Sequence, residues 1–205
     1  MGGSLKAVVL ASLFGLTGTL ATGCAHGSAT QTPQIAIQRG GAWAPLPVVR
    51  PHVTGPDVSL TLDQGKLRGF VGSGAMSVTV EPGKAEGFGP GGPVAINMEQ
   101  EGTELVVDGM WNGGPVHLQM GPNGLHGSVI RHSSTRTVGR SPSCSYDLRP
   151  QAGGLVGTST CIGMPQQTRL QIDPGVIRQL STQELSVLLV AVLSQPPLDP
   201  RNERI

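Results

Sequence analysis

One phrase recurs five times between Val58 and Gly157: three apolar residues at alternate positions, a polar turn, then an apolar residue and a glycine. Val58, Leu60 and Leu62 lead to Gly65, Leu67 and Gly69, and Met76, Val78 and Val80 lead to Gly83, Ala85 and Gly87. Val94, Ile96 and Met98 precede Gly102, Leu105 and Gly109, and Val116, Leu118 and Met120 precede Gly124, Leu125 and Gly127. The last copy is Cys144, Tyr146 and Leu148 with Gly153, Leu155 and Gly157. A period of two marks a strand with one buried face, so each copy predicts a β-hairpin.

Turn chemistry fixes the register. A four-residue connection sets Leu62 opposite Leu67, Leu60 opposite Gly69 and Val58 opposite Val71; the same spacing pairs Val80 with Ala85, Val78 with Gly87, Met120 with Leu125 and Leu118 with Gly127. Glu81-Pro82-Gly83 and Gly121-Pro122-Asn123-Gly124 supply the fixed φ of proline and the positive φ of glycine or asparagine that such turns use. The third copy predicts a longer connection, from Glu99 to Glu104. In this register Gly69, Gly87 and Gly127 fall on the apolar face at equivalent places, with Gly109 and Gly157 nearby. Glycine in a strand marks a bend or a close approach, which predicts a glycine-lined furrow that another element fills. Ser59, Thr61, Arg68, Thr79, Glu86, Asn97, His117, Gln119 and His126 lie on the opposite, solvated face, where Phe70 and Phe88 add a small apolar spot.

Glycine occurs 31 times and proline 17 times, a content that would signal disorder if scattered; here many glycines hold fixed places in the repeat. Before residue 24 the only charge is Lys6, so removing that segment leaves 14 − 1 = 13 basic residues against 13 acidic. A neutral chain without a basic run cannot collect the phosphates of a nucleic acid, which excludes that partner. Trp43, Phe70, Phe88, Trp111 and Tyr146, the aromatics after residue 24, are too few for a stacking platform.

The N-terminus has its own logic. Lys6 precedes the apolar run 7–16, and small residues end in Ala21, Thr22, Gly23 and Cys24. The run is shorter than the ~20 residues a spanning helix needs, and the order of positive, apolar and small regions is that of an export signal. The residues before Cys24 resemble the lipobox of bacterial lipoproteins, although alanine stands at position 21 where leucine is commoner and Leu20 lies one place early. The resemblance covers residues 1–24 only. It implies cleavage before Cys24, acylation of its sulfur and then of its amine (palmitate among the acyl groups), and, with Ala25 and not aspartate following, an outer-membrane address. A plain secretory signal followed by a free cysteine is the alternative. The expected organisation is a signal peptide over 1–23, a lipid-anchored flexible tether over 24–45, a hairpin domain with a C-terminal helix over 46–195, and a loose tail over 196–205. Within the tether segment, Ile35 and Ile37 alternate ahead of Trp43 and several prolines, compatible with a short edge strand.

Cys144 and Cys161 are the cysteines left once Cys24 is acylated, and they lie symmetrically about Ala152 and Gly153, the turn of the fifth hairpin. In matching register they face each other, and an exported chain with an even count predicts a structural disulfide. Leu170 and Ile172 read as the last strand, after which Asp173, Pro174 and Gly175 break the pattern. Ser181-Thr182-Gln183-Glu184 is a capping box, starting a helix through Leu185–Leu193 that is apolar all round and ends before Pro196. Roughly 13 residues at 1.5 Å each are too short to cross a membrane, so that helix must be buried against the sheet. A central strand over 187–193 is the competing assignment.

Catalytic signals are absent. Gly87-Phe88-Gly89-Pro90-Gly91-Gly92 has the spelling of a dinucleotide fingerprint, but a strand follows where a helix is required. His117 and His126 lie diagonally on the outer face and are metal candidates with a carboxylate such as Glu86; solvated histidines are the alternative. His52 and His132 read as loop residues. The Gly-x-apolar-x-Gly phrases are similar to those of MORN-type repeats, but that family's aromatic positions are missing and membership is not inferred.

These readings converge on a mainly β domain, an antiparallel meander of about ten or eleven strands curled into a barrel-like or strongly bent sheet, with one C-terminal helix on its concave face. The expected function is that of a lipid-anchored outer-membrane protein, periplasmic or surface-exposed, without catalysis or cofactor, held to the membrane by its anchor and binding another envelope protein. A carrier or sensor holding a small apolar ligand between sheet and helix is second, and a hydrolase third. Thiol titration of the denatured, unreduced, acylated protein is expected to find no free thiol; two free thiols would overturn the bridge.

Overall fold

A computed structural model describes residues 32–39, 42–50, 52–55, 58–72, 74–130, 143–152, 154–161 and 163–194. The signal peptide, Cys24, His132 and the tail 196–205 lie outside these residues.

Fourteen strands form one closed antiparallel barrel in simple meander order. They are β1 (Gln34–Arg39), β2 (Ala42–Val49), β3 (His52–Gly55), β4 (Val58–Asp63), β5 (Lys66–Val71), β6 (Gly74–Glu81) and β7 (Lys84–Gly89), followed by β8 (Gly92–Glu101), β9 (Glu104–Trp111), β10 (Gly114–Gly121), β11 (Gly124–Ile130), β12 (Ser143–Gln151), β13 (Gly154–Cys161) and β14 (Met164–Ile172). Two helices follow, α1 (Pro174–Gln179) and α2 (Thr182–Ser194). The predicted pairs Leu62–Leu67, Leu60–Gly69, Val78–Gly87 and Leu118–Gly127 all form. In the third hairpin the strands run on to pair Glu101 with Glu104, leaving a two-residue turn instead of the longer connection expected.

The N-terminal boundary shifts. Residues 34–39 and 42–45, assigned to a flexible tether, belong to β1 and β2, and β1 is no edge: it pairs with β2 on one side and with β14 on the other, closing the ring. Ile35 and Ile37 bury into the barrel, which supplies the apolar area a tether lacks. Together with β3 these strands raise the count from the expected ten or eleven to fourteen. The joint between β2 and β3 is short, with only Val48–Val53 and Val49–His52 paired. The amide of Val48 donates to the carbonyl of Pro33, on the β1 side, so residues of the other parity present their amide positions toward β3. Two of these are Pro45 and Pro47, which have no donor and stop the ladder.

The glycines do not make a furrow. Gly69, Gly87, Gly109 and Gly127 have φ between 125° and 154°, which turns the vacant Cβ direction away from the lumen. An added Cβ would lie 2.0 Å from the Ser59 carbonyl oxygen at Gly69 and 2.1 Å from that of Ser77 at Gly87. The same contact recurs with the neighbouring strand at Gly109, Gly127 and Gly157. One such glycine sits in the second strand of each predicted hairpin. The missing side chain lets the adjacent backbone approach and the wall bend, the usual device for closing a barrel.

Helix α2 fills the interior. Eleven of its residues, from Glu184 to Ser194, are buried, and they meet the inward-facing side chains of the strands, among them Leu60, Leu67, Ile96, Leu118, Leu125, Leu148 and Leu170. The capping box forms as expected: the Glu184 amide donates to Ser181 Oγ at 3.2 Å, and the Ser181 amide donates to Glu184 Oε2 at 2.7 Å. Asp173-Pro174-Gly175 ends β14 as read and also starts α1, with the Asp173 carboxylate accepting from the Gly175 amide and Pro174 in the first turn. That arrangement suits proline, whose missing donor goes unused there.

The helix threads the barrel. Its N-terminal end lies at the mouth where β1 begins and β14 ends, next to Arg50, which pairs with Glu184. Its C-terminal end reaches the opposite mouth beside Arg39, Trp111 and Tyr146. We call these the near and far mouths. Gly87→Ala is expected to cost at least about 2 kcal/mol more than Gly102→Ala, because Gly102 has φ near 60° but nothing within 4 Å of an added Cβ, so only the backbone penalty applies there. Urea denaturation of the two variants measures the difference.

Candidate interaction surface

The interior is a core and not an open site. Its main buried charge is Arg39, which the alternation puts in phase with Ile35 and Ile37 and therefore in the lumen. Nη2 of Arg39 donates to the Leu193 carbonyl at 2.8 Å and to Tyr146 Oη at 2.9 Å, while the Tyr146 hydroxyl donates to the same carbonyl at 2.7 Å. Burial lowers the pKa of this guanidinium while Tyr146 opposes the shift, and a guanidinium stays charged at any ordinary pH. The last turn of α2 presents carbonyls without helical partners and the negative end of the helix dipole, which a buried cation satisfies. Trp111 Nε1 adds a bond to Ser194 Oγ at 3.0 Å, and Ser194 in turn donates to the Ala191 carbonyl at 2.8 Å. Arg39 escaped the sequence reading, although its phase with two isoleucines was the signal that places it inside.

The residues singled out from sequence separate. Cys144 and Cys161 are directly opposite on β12 and β13, with sulfurs at a bonding distance of 2.11 Å and Cα atoms 4.3 Å apart. Both are buried near the far mouth, where they join the end of one hairpin. His117 and His126 are not brought to Glu86. His117 Nδ1 lies 2.5 Å from Asp108 on β9, and His126 Nδ1 lies 3.1 Å from Asp147 on β12. Glu86 stands on β7 with Lys84. Among the described residues no group of three His, Cys, Asp or Glu side chains gathers around one point. His52 is an exposed residue opening β3.

What remains is the outside of the barrel, and its two ends differ. Each wall strand turns toward solvent residues such as Arg68, Glu86, Asn97, Asp108 and Asp147, while its alternate residues face the core. This polarity is the reverse of a membrane-spanning barrel, whose outward band is apolar. The charges cluster toward the near mouth, at the turns Asp63–Lys66, Glu81–Lys84 and Glu101–Glu104. The far-mouth turns that are described throughout are Pro90–Gly91 and Asn112–Gly113. In the three residues at the far-mouth end of each strand, Arg39 is the one Asp, Glu, Lys or Arg among the described residues, and it is buried. Those strand ends instead hold most of the large exposed apolar side chains: Phe70 (58%), Phe88 (69%), Met110 (42%), Met164 (60%) and Trp43 (39%). Phe70 and Phe88 point outward as the repeat predicted. Their neighbours across the strands, Ala75 and Pro93, carry no charge either.

Comparison with family models, with curated proteins and with solved structures finds no match to this chain. Arg39→Met is expected to lower the unfolding free energy by roughly 2–3 kcal/mol, since a charged hydrogen bond is lost while the helix carbonyls stay buried; Tyr146→Phe is expected to cost about 1 kcal/mol. Both are read from urea denaturation curves.

Proposed function

We propose that the protein is a lipid-anchored, non-catalytic component of the bacterial cell envelope that binds another envelope component through the outside of its barrel. The observation that supports this over the carrier reading is the occupancy of the lumen: the protein's own helix lies where an apolar ligand would sit. A ring that spends its interior on its own chain has its outer surface left for recognition. The anchor is Cys24, by its resemblance to lipobox cysteines, and the address that follows from Ala25 is the outer membrane. The barrel starts at Gln34, so nine residues, 25–33, link the anchor to the wall, and the polar flank with its ion pairs is the face offered to the aqueous side.

Two measurements test the reading. Growth with an alkyne-tagged palmitate analogue is expected to label the wild-type chain and not Cys24→Ser, and the variant is expected to leave the membrane fraction. Crosslinking in intact cells from positions on the outer wall, such as Arg68 and Asn97, is expected to capture a specific envelope partner. Label that persists in Cys24→Ser, or a small apolar molecule released from the denatured protein at one per chain, would overturn the anchor and the binding-module readings respectively.

A further inference from the structure

The far mouth has no part in the function proposed above, yet among the described residues its strand ends differ in composition from the rest of the surface. Trp43 lies on β2, Phe70 on β5, Phe88 on β7, Met110 on β9 and Met164 on β14. In the ring order these positions run from β14 through β2 to β9, an arc of ten strands, with none on β10 to β13. A protein docked on one flank reaches those on β5 to β9 and leaves the others in water. A flat apolar surface meets all of them together. Side chains of this kind, with an amphipathic indole among them, are those that settle at the boundary of a bilayer.

The chain leading to β1 is long enough for this contact. Pro33 and Gln34 stand at the near mouth, where the Pro33 carbonyl accepts from Val48 and the Gln34 carbonyl from Asp173. The ten residue-to-residue steps from Cys24 to Gln34 reach about 33 Å when extended. Strands of about eight residues rise roughly 26 Å along their length, less when tilted as in a barrel. The segment is therefore long enough to pass down the height of the wall, so an acyl anchor at Cys24 and the far mouth are able to meet the same membrane.

We propose that the far mouth rests on a lipid surface, with the exposed aromatic and methionine side chains entering its interfacial layer and the charged near mouth directed away from it. Acyl groups on both the sulfur and the amine of Cys24 hold a protein more firmly than the marginal grip of one chain, so what the far mouth adds is an orientation of the barrel. This orientation rests on the anchor at Cys24; the lipid contact itself does not.

The test removes the anchor. Residues 25–205 contain every described strand and helix, and this chain is mixed with vesicles of phosphatidylethanolamine and phosphatidylglycerol at about three to one, and separately of phosphatidylcholine. Co-sedimentation is expected with both, persisting at high salt because the contact is apolar. Bilayers with brominated acyl chains are expected to quench Trp43 and spare Trp111, which is only 1% exposed, so that Trp43→Phe removes the quenching. Phe70→Ser combined with Phe88→Ser is expected to weaken partitioning at least tenfold with an unchanged melting temperature, both side chains lying outside the core. The proposal is overturned by failure to bind either vesicle, by binding that high salt abolishes, or by binding indifferent to the double substitution. It is also overturned by a dimer in sedimentation velocity that the double substitution dissociates while vesicles stay unbound, which would make a second copy the occupant. None of these outcomes bears on acylation, so the anchor stands or falls separately.

Discussion

A closed wall of fourteen strands encloses more space than its own side chains fill, and the placement of everything else follows from that. Barrels of about eight strands are just filled by inward side chains, whereas those of about sixteen leave a channel. Here the surplus is taken by a helix about 10 Å wide whose surface is apolar on every side. Neither part is stable alone: the wall would surround a void, and a helix without a polar face would stand in water. The helix is fixed along its axis at both ends. Arg50 and the reciprocal Ser181–Glu184 bonds hold its start, and Arg39, Tyr146 and Trp111 hold its end. Both of these polar clusters lie at the mouths; between them the lumen is mostly aliphatic, with a buried Ser159–Thr168 hydroxyl pair in its wall.

Much of this was legible in the chain. Alternation and turn chemistry set the hairpin registers, because both are local and a slip by one residue would turn every side chain to the wrong face. The capping box gave the start of α2 for the same reason. Readings failed where geometry beyond a few residues decided. The in-phase glycines suggested a groove, since an inward position without a side chain looks like space; their positive φ sends the missing substituent sideways, toward the carbonyl of the next strand. Strands β1 and β2 were read as at most one short edge strand within a tether because Ile35 and Ile37 are followed by prolines, yet Pro45 and Pro47 fall at positions whose donor the sheet does not use. Closure itself joins Ile35 to Ile172, a pairing that no local pattern encodes.

The surface shows the same division. The cysteine pair could be read from its symmetry about a turn, and Arg39 could have been read from its phase. The contrast between the two mouths needed the topology, for only a closed meander brings Asp63–Lys66, Glu81–Lys84 and Glu101–Glu104 to one end and the glycine- and proline-rich turns to the other. Once the ends are known the contrast can be followed along the described residues. Charged residues at one mouth keep the barrel soluble and resist end-to-end association, while the far mouth lacks that protection among its described residues.

The passage of α2 through the lumen bears on how the molecule is made. Synthesis proceeds from the N-terminus, so the strands of the wall exist before the segment that must lie inside them. A finished cylinder could not admit that segment sideways, and its first strand finds its last neighbour only when residues 164–172 have appeared. Maturation must therefore be a late, concerted event in which an open, curved sheet wraps around its terminal helix. Until then the sheet's apolar face stays bare to water.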